Sequence, residues 1–186
     1  MVSRPNVGKT ISAIRLLVKK AHDQMRASRA LILTDEYRQA FPHLNMALES
    51  LGRIWIFIEL LGVPDNELEN FLKRDQGGAA HKNRLEGACR LFQFFINRRA
   101  GKQVNIAATK KIIFSSKLTK EWAFYIEKIE DEFTDLSQSF RRKTLIDEYC
   151  LIYCLLDECE KFVGTLSPHF VSTLGKVMYA GREKRR

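Results

Sequence analysis

The residues in this chain that are able to do chemistry are its four cysteines, four histidines and a large set of cations, and their spacing decides what they can do together. Cys150, Cys154 and Cys159 fall within ten residues of one expected helix, where Cβ vectors a turn apart make disulfide geometry hard to reach. Cys150 and Cys154, four apart, share a helix face that a metal would need to occupy. Neither they nor Cys89 forms a C-x-x-C pair, and no histidine lies close in sequence. All four are therefore expected to be small buried apolar side chains in a reducing compartment, cytoplasmic or nuclear. His22, His43, His81 and His169 stand apart from one another and from any ligand set. H-E-x-x-H, G-x-S-x-G and paired-carboxylate patterns are absent. No catalytic residue, cofactor or metal is predicted, and the chain reads as non-enzymatic.

One stretch carries a nucleotide-like signature: Ser3-Arg4-Pro5-Asn6-Val7-Gly8-Lys9-Thr10. It resembles the phosphate-binding loop of Era-like GTPases, Gly-Arg-Pro-Asn-Val-Gly-Lys-Ser. In that family backbone amides wrap the phosphates, the lysine neutralises charge and the hydroxyl holds Mg²⁺. The resemblance implies a phosphate role for Lys9 and Thr10, with Asp35 as a carboxylate after a short strand Ala30–Leu33. It covers eight residues, Ser3 replaces the first glycine, and only Met1 and Val2 precede it. Coincidence at a basic helix start is the reading taken, with a P-loop nucleotide-binding protein as the remote alternative.

Charge is the more informative feature. Lys and Arg number 31 against 22 Asp and Glu, a formal net charge of +9. From Gly87 to Lys120 there is no acidic residue, while Arg90, Arg98, Arg99, Lys102, Lys110, Lys111, Lys117 and Lys120 all fall there. Arg141-Arg142-Lys143 forms a second cluster. Residues 1–29 add Arg4, Lys9, Arg15, Lys19, Lys20, Arg26 and Arg29 against Asp23 alone. Acids concentrate in Glu121–Asp135, read as one acidic helix that faces a neighbour or keeps polyanions off that side. The acid-free first 22 residues also resemble a mitochondrial targeting helix.

The elements that must position these charges are helical. Ile11, Ile14, Leu17, Val18, Ala21 and Met25 recur three or four apart, as do Leu44, Leu48, Leu51, Trp55, Ile58 and Leu61 before Gly62 and Pro64. A short helix over Leu68–Leu72 follows, then one from Leu85 to Phe95 closing near Gly101. Ser28–Phe41 is ambiguous between a strand at Ala30–Leu33 and a helix ending before Pro42. Leu118–Phe140 and Leu145–Val163 read as long helices. Ser167-Pro168 reads as an N-cap and first-turn proline ahead of a stripe of Phe170, Leu174 and Val177. The expected fold is all-α, a single-domain bundle of about seven to eight helices spanning residues 1–186. Residues 1–9 are taken as a flexible N-terminal segment and 181–186 as a basic tail. Segments 54–63 and 149–156 are apolar all round and are expected to be the two central helices, or contacts for self-association. No apolar run reaches the length of a membrane span.

Arg98, Arg99, Lys102, Lys110, Lys111, Lys117 and Lys120 are expected to contact nucleic-acid phosphates, with Arg141, Arg142 and Lys143 as a second contact. The partner class is RNA ahead of DNA, bound with low sequence specificity, in a packaging or assembly role. Phe94, off the main apolar stripe, is the expected base-stacking residue. A helical protein–protein adaptor is the alternative.

Overall fold

The computed structural model describes residues 5–73, 75–76, 80–101, 127–129, 132–134 and 142–183. Six α-helices form among them: α1 (Val7–Leu33), α2 (Tyr37–Leu60), α3 (Leu68–Lys73), α4 (Ala80–Ala100), α5 (Arg142–Gly164) and α6 (Pro168–Glu183), with a 3-10 turn over Asp65–Glu67. No helix among the described residues is long and apolar enough to cross a membrane.

The periodicity of α1 is realised as read, with Ile14, Leu17, Val18, Ala21 and Met25 buried on one face. Ala30–Leu33 continues that helix and forms no strand, because Leu31 and Ile32 pack against the same core as the turns before them. Asp35 then takes a left-handed conformation, φ 61°, which aspartate tolerates better than most side chains. That turn reverses the chain, and α2 runs back antiparallel so that His43 Nδ1 meets Gln24 Oε1 at 2.7 Å.

Pro42 lies inside α2 and does not end a helix. Its missing N–H removes one ladder bond near the helix start. The burial of Ala40, Phe41 and Leu44, each at most 1% exposed, outweighs that loss at roughly 1.5–3 kcal/mol per large side chain. Farther along α2, Ile54, Ile58 and Leu60 are buried, with Leu61 just past its end, while Trp55, Ile56 and Phe57 are half-buried, so the segment 54–63 is a central element of the bundle. The other segment expected to be central, 149–156, has two faces. Ile152, Leu155 and Leu156 are buried, while Cys150, Tyr153 and Cys154 are exposed. The expectation of four buried cysteines therefore holds only for Cys89 and Cys159; all four are free thiols.

Ser167 caps α6 as read, its Oγ accepting from Phe170 N at 3.2 Å. The inward stripe of α6 is rotated from the expected one. Val171 and Gly175 are buried and Leu174 packs against the core, while Phe170 and Val177 are 38% and 64% exposed. Within the expected acidic helix 121–135, Glu127–Ile129 and Glu132–Thr134 instead pair as antiparallel strands, the one strand pair among the described residues.

Two close backbone approaches fix how α4 and α6 cross α2. A Cβ on Gly52 would lie 1.8 Å from the Arg84 carbonyl oxygen, and one on Gly87 would lie 2.4 Å from that of Gly52. Gly62 and Gly175 meet in the same way, the oxygen of Gly175 being 2.2 Å from where a Gly62 Cβ would sit. Beside the first crossing, Arg84 bridges α4 to its surroundings. Its Nε donates to Asp75 Oδ1 at 2.9 Å and its Nη1 to Glu49 Oε2 at 3.3 Å. Arg53 donates to the other Asp75 oxygen at 3.1 Å, and His81 pairs with Glu49 at 2.6 Å. Partial burial works to lower the Arg84 pKa, but Asp75 and Glu49 hold it above its usual value.

Gly87→Ala is expected to cost about 2–3 kcal/mol, because overpacking against backbone exceeds alanine's helix-propensity gain of about 1 kcal/mol. Gly181→Ala in α6, where a Cβ meets nothing within 4 Å, is expected to be neutral or slightly stabilising. Urea unfolding of the two variants checks both, and equal effects would contradict the close approach.

Candidate nucleic-acid interface

The outer face of α1 is cationic along a regular line. Arg15, Lys19, His22, Arg26 and Arg29 recur at alternating four- and three-residue steps, the spacing that stacks side chains on one face. The ridge extends about 21 Å, with one such side chain about every 5 Å of helix. All but the half-buried His22 are exposed. Lys9 and Lys20 lie on other exposed positions of the same helix, and Asp23 is its one acid.

Helix α5 lies beside this ridge and runs antiparallel to α1. Leu166, just past the end of α5, packs with Val7 and Ile11 at the start of α1. His22 Nε2 pairs with Glu160, and the Arg29 charge reaches Tyr149. Between the two helices runs an open groove of about 430 Å³, lined by Arg15, Val18, Lys19, His22, Arg26, Glu160 and Val163. Its apolar lining is Val18 and Val163, and its rim is charged. Arg26 pairs with Asp23 at 2.5 Å, whereas Arg15 and Lys19 have no carboxylate partner among the described residues. Two free cations therefore border the groove at one end.

Beyond the residues that line the groove, two turns toward the start of α5 from Glu160, stand two tyrosines. Tyr149 and Tyr153 are one turn apart with rings near-parallel and offset, centroids 6.3 Å apart and planes 16° apart. Tyr153 is 54% exposed. Burial pushes the Tyr149 hydroxyl up, partly offset by Arg29, so it stays a neutral donor at physiological pH.

The residues singled out from sequence are distributed differently. Arg98 and Arg99 are exposed in the last turn of α4, where cations also complement the helix dipole. Arg99 is committed to Glu158 of α5, and Lys161 beside it to Asp157 at 2.5 Å. Together with Phe95, Phe162 and Thr165 they line a second groove of about 320 Å³, in which acids partly balance the cations. Lys102, Lys110, Lys111, Lys117, Lys120 and Arg141 lie outside the described residues; Arg142 and Lys143 begin α5, and their side chains also lie outside them. Phe94 is corrected. Its ring packs edge-on against Trp55, Phe95 and Phe162 at 5.4–6.4 Å, so its faces are taken up within the fold. Sequence reasoning noted the α1 cations without their common line, which the four-and-three spacing carries, and passed over Tyr149 and Tyr153, whose exposure depends on packing.

The GTPase-like stretch has no phosphate cradle among the described residues. Helix α1 is already formed at Val7, and Asn6 caps it, with Oδ1 accepting from Gly8 N at 2.7 Å. That carboxamide occupies an amide a phosphate would take. Thr10 is only 4% exposed, and its hydroxyl donates to the Asn6 carbonyl at 3.2 Å. Asp35 follows a helix, not a strand. No cluster of three or more His, Cys, Asp or Glu able to hold a metal ion occurs among the described residues, and Cys150 and Cys154 recruit no further ligand.

No protein family, no curated protein and no solved structure matches this chain.

One carboxylate near the start of α5 is unusual. Glu148 lies on the inward side of α5 near Leu145 and Ile152, is only 7% exposed, and burial pushes its pKa up to about 7. The folded chain therefore keeps this proton where an ordinary carboxyl near 4.5 has lost it. Its contribution to stability is complete below about pH 4.5 and declines as pH rises to about 7, by about 3 kcal/mol in all. Glu148→Gln is expected to flatten that decline and to exceed the native chain in stability at about pH 8. Urea midpoints across pH test this, and parallel curves for the two chains would show the carboxyl to be ionised in the fold.

Proposed function

We propose that this chain is a non-enzymatic nucleic-acid-binding protein, with RNA ahead of DNA as its partner, gripping the phosphate backbone with little sequence specificity. The observation that carries this reading is the cationic ridge of α1 set along an open groove. A line of long, exposed cations on a rigid helix follows a backbone of repeating charge, and each phosphate neutralised releases condensed counterions. Nothing in the ridge offers the paired donor and acceptor groups that would read base edges, since lysine and arginine on an exposed helix meet phosphates first. Arg98 and Arg99 supply a secondary contact at the end of α4, weakened for Arg99 by its pairing with Glu158. A packaging or assembly role suits a surface of this kind, because backbone binding without sequence readout lets many copies line one strand.

The test is binding of nuclease-treated protein to labelled RNA, duplex DNA and heparin across a salt series. RNA affinity is expected to fall steeply with salt. Arg15→Glu with Lys19→Glu should weaken it at least tenfold and lower the salt slope by about two. Arg98→Glu with Arg99→Glu should have a smaller effect of the same kind. An unchanged affinity in the α1 variant would displace the site from this groove. Absence of binding at low salt, with a defined oligomer on sizing, would favour the helical adaptor instead.

A further inference from the structure

The α1–α5 groove joins two kinds of surface that serve different parts of a nucleic acid, and their positions are set by helix geometry. His22 faces Glu160 across the groove. Because the helices are antiparallel, two turns onward in α1 and two turns back in α5 bring Arg29 level with Tyr153. Seven residues return each helix to nearly the same face, so Arg29 continues the cationic ridge and Tyr153 continues the wall that Glu160 begins. The Arg29 charge also acts on Tyr149, one turn beyond, in keeping with this antiparallel register.

Tyr153 is half-exposed, and its one aromatic neighbour among the described residues, Tyr149, lies near-parallel to it with centroids 6.3 Å apart, too far offset to cover a ring face. Phenylalanine and tryptophan rings elsewhere in the bundle are engaged with one another: Trp55, Phe94, Phe95, Phe162 and Phe170 form one edge-to-face group. Tyr153 thus keeps ring surface open to stacking, on the stretch of α5 that lies level with Arg29, whose guanidinium can hold a phosphate. A duplex cannot use that position, since its bases are already stacked and paired. An unpaired strand can, with its phosphates along Arg15, Lys19 and Arg29 and a base on the tyrosine ring.

We infer that the groove selects unpaired nucleic-acid strands, with Tyr153 as a base-stacking platform at the Arg29 end of the phosphate-binding ridge. This rests on the polyanion reading above and deepens it by naming the class of strand. The stacking ring accepts any base, so selection is for single-strandedness and not for sequence.

The experiment uses the full chain with four labelled probes of equal charge: single-stranded RNA, single-stranded DNA, duplex and heparin. Both single strands are expected to bind more tightly than the duplex at every salt concentration. Tyr153→Ala should weaken both single strands about tenfold or more and leave heparin affinity and the salt slope unchanged, because heparin has no bases. Tyr153→Phe, which keeps the ring, should restore single-strand affinity. Equal loss of heparin and single-strand binding in Tyr153→Ala would overturn the inference, as would single-strand affinity unmoved by that change. If no probe binds the native chain, the phosphate reading itself fails and the stacking inference with it. If heparin and duplex bind as well as the single strands, only the inference fails.

Discussion

The rest of the structure depends on the need of α2 to be covered over most of its circumference. This helix carries Ala40, Phe41, Leu44, Ala47, Leu48, Leu51, Ile54, Ile58 and Leu60 as buried residues, too many for one stripe. A helix of that kind is stable in water only when other helices surround it. Here α1, α4, α5 and α6 all pack on it. The approach of α4 is closer than side chains allow, so glycine faces glycine at Gly52 and Gly87, and α6 approaches at Gly62 and Gly175. Each contact replaces side-chain packing with backbone against backbone, which fixes where the two helices cross.

The interface follows from that arrangement. Helices α1 and α5 both bury one face against the core and so come to lie side by side, leaving their outer faces to form the walls of a groove. The cations of α1 cannot turn inward, because Ile14, Leu17, Val18, Ala21 and Met25 occupy the inward face. Glu160 reaches across to His22, tying the two walls together without neutralising the ridge, since Arg15 and Lys19 remain unpaired among the described residues. At the α4 side the same helix α5 presents Glu158, which engages Arg99. One helix thus quenches charge at the end of α4 and leaves it available along α1.

Much of this was legible in the residue spacing, and the exceptions have identifiable causes. The three-and-four recurrence that predicts α1, α2, α4 and α5 is a local property of helical geometry, so it survives without knowledge of the fold. Pro42 was read as a terminator because proline removes one hydrogen bond, but the burial of Phe41 and Leu44 on either side contributes more than that bond. Phe94 looked exposed because it lies off the main stripe of its own helix; Trp55 from α2 and Phe162 from α5 come to meet it. Cys150, Tyr153 and Cys154 looked buried because their neighbours are apolar, yet in this fold the inward face of α5 is defined by Leu145, Ile152, Leu155, Leu156 and Cys159. The basic segment from Lys102 to Lys120, prominent in sequence, lies outside the described residues.

The sequence by itself determined the all-helical class, the absence of an apolar run long enough for a membrane among the described helices, the cap of α6 at Ser167 and the cationic line on α1. Each of these depends on residues within a few turns of one another. Only the tertiary structure decided which helix stands beside that line, that Arg99 is paired while Arg15 and Lys19 have no carboxylate partner among the described residues, and that Tyr153 is exposed. Those outcomes depend on contacts between residues far apart in sequence, 59 positions for Arg99 with Glu158 and 138 for His22 with Glu160. Periodicity along one helix carries no information about the rotation of another. Only packing around α2 sets it.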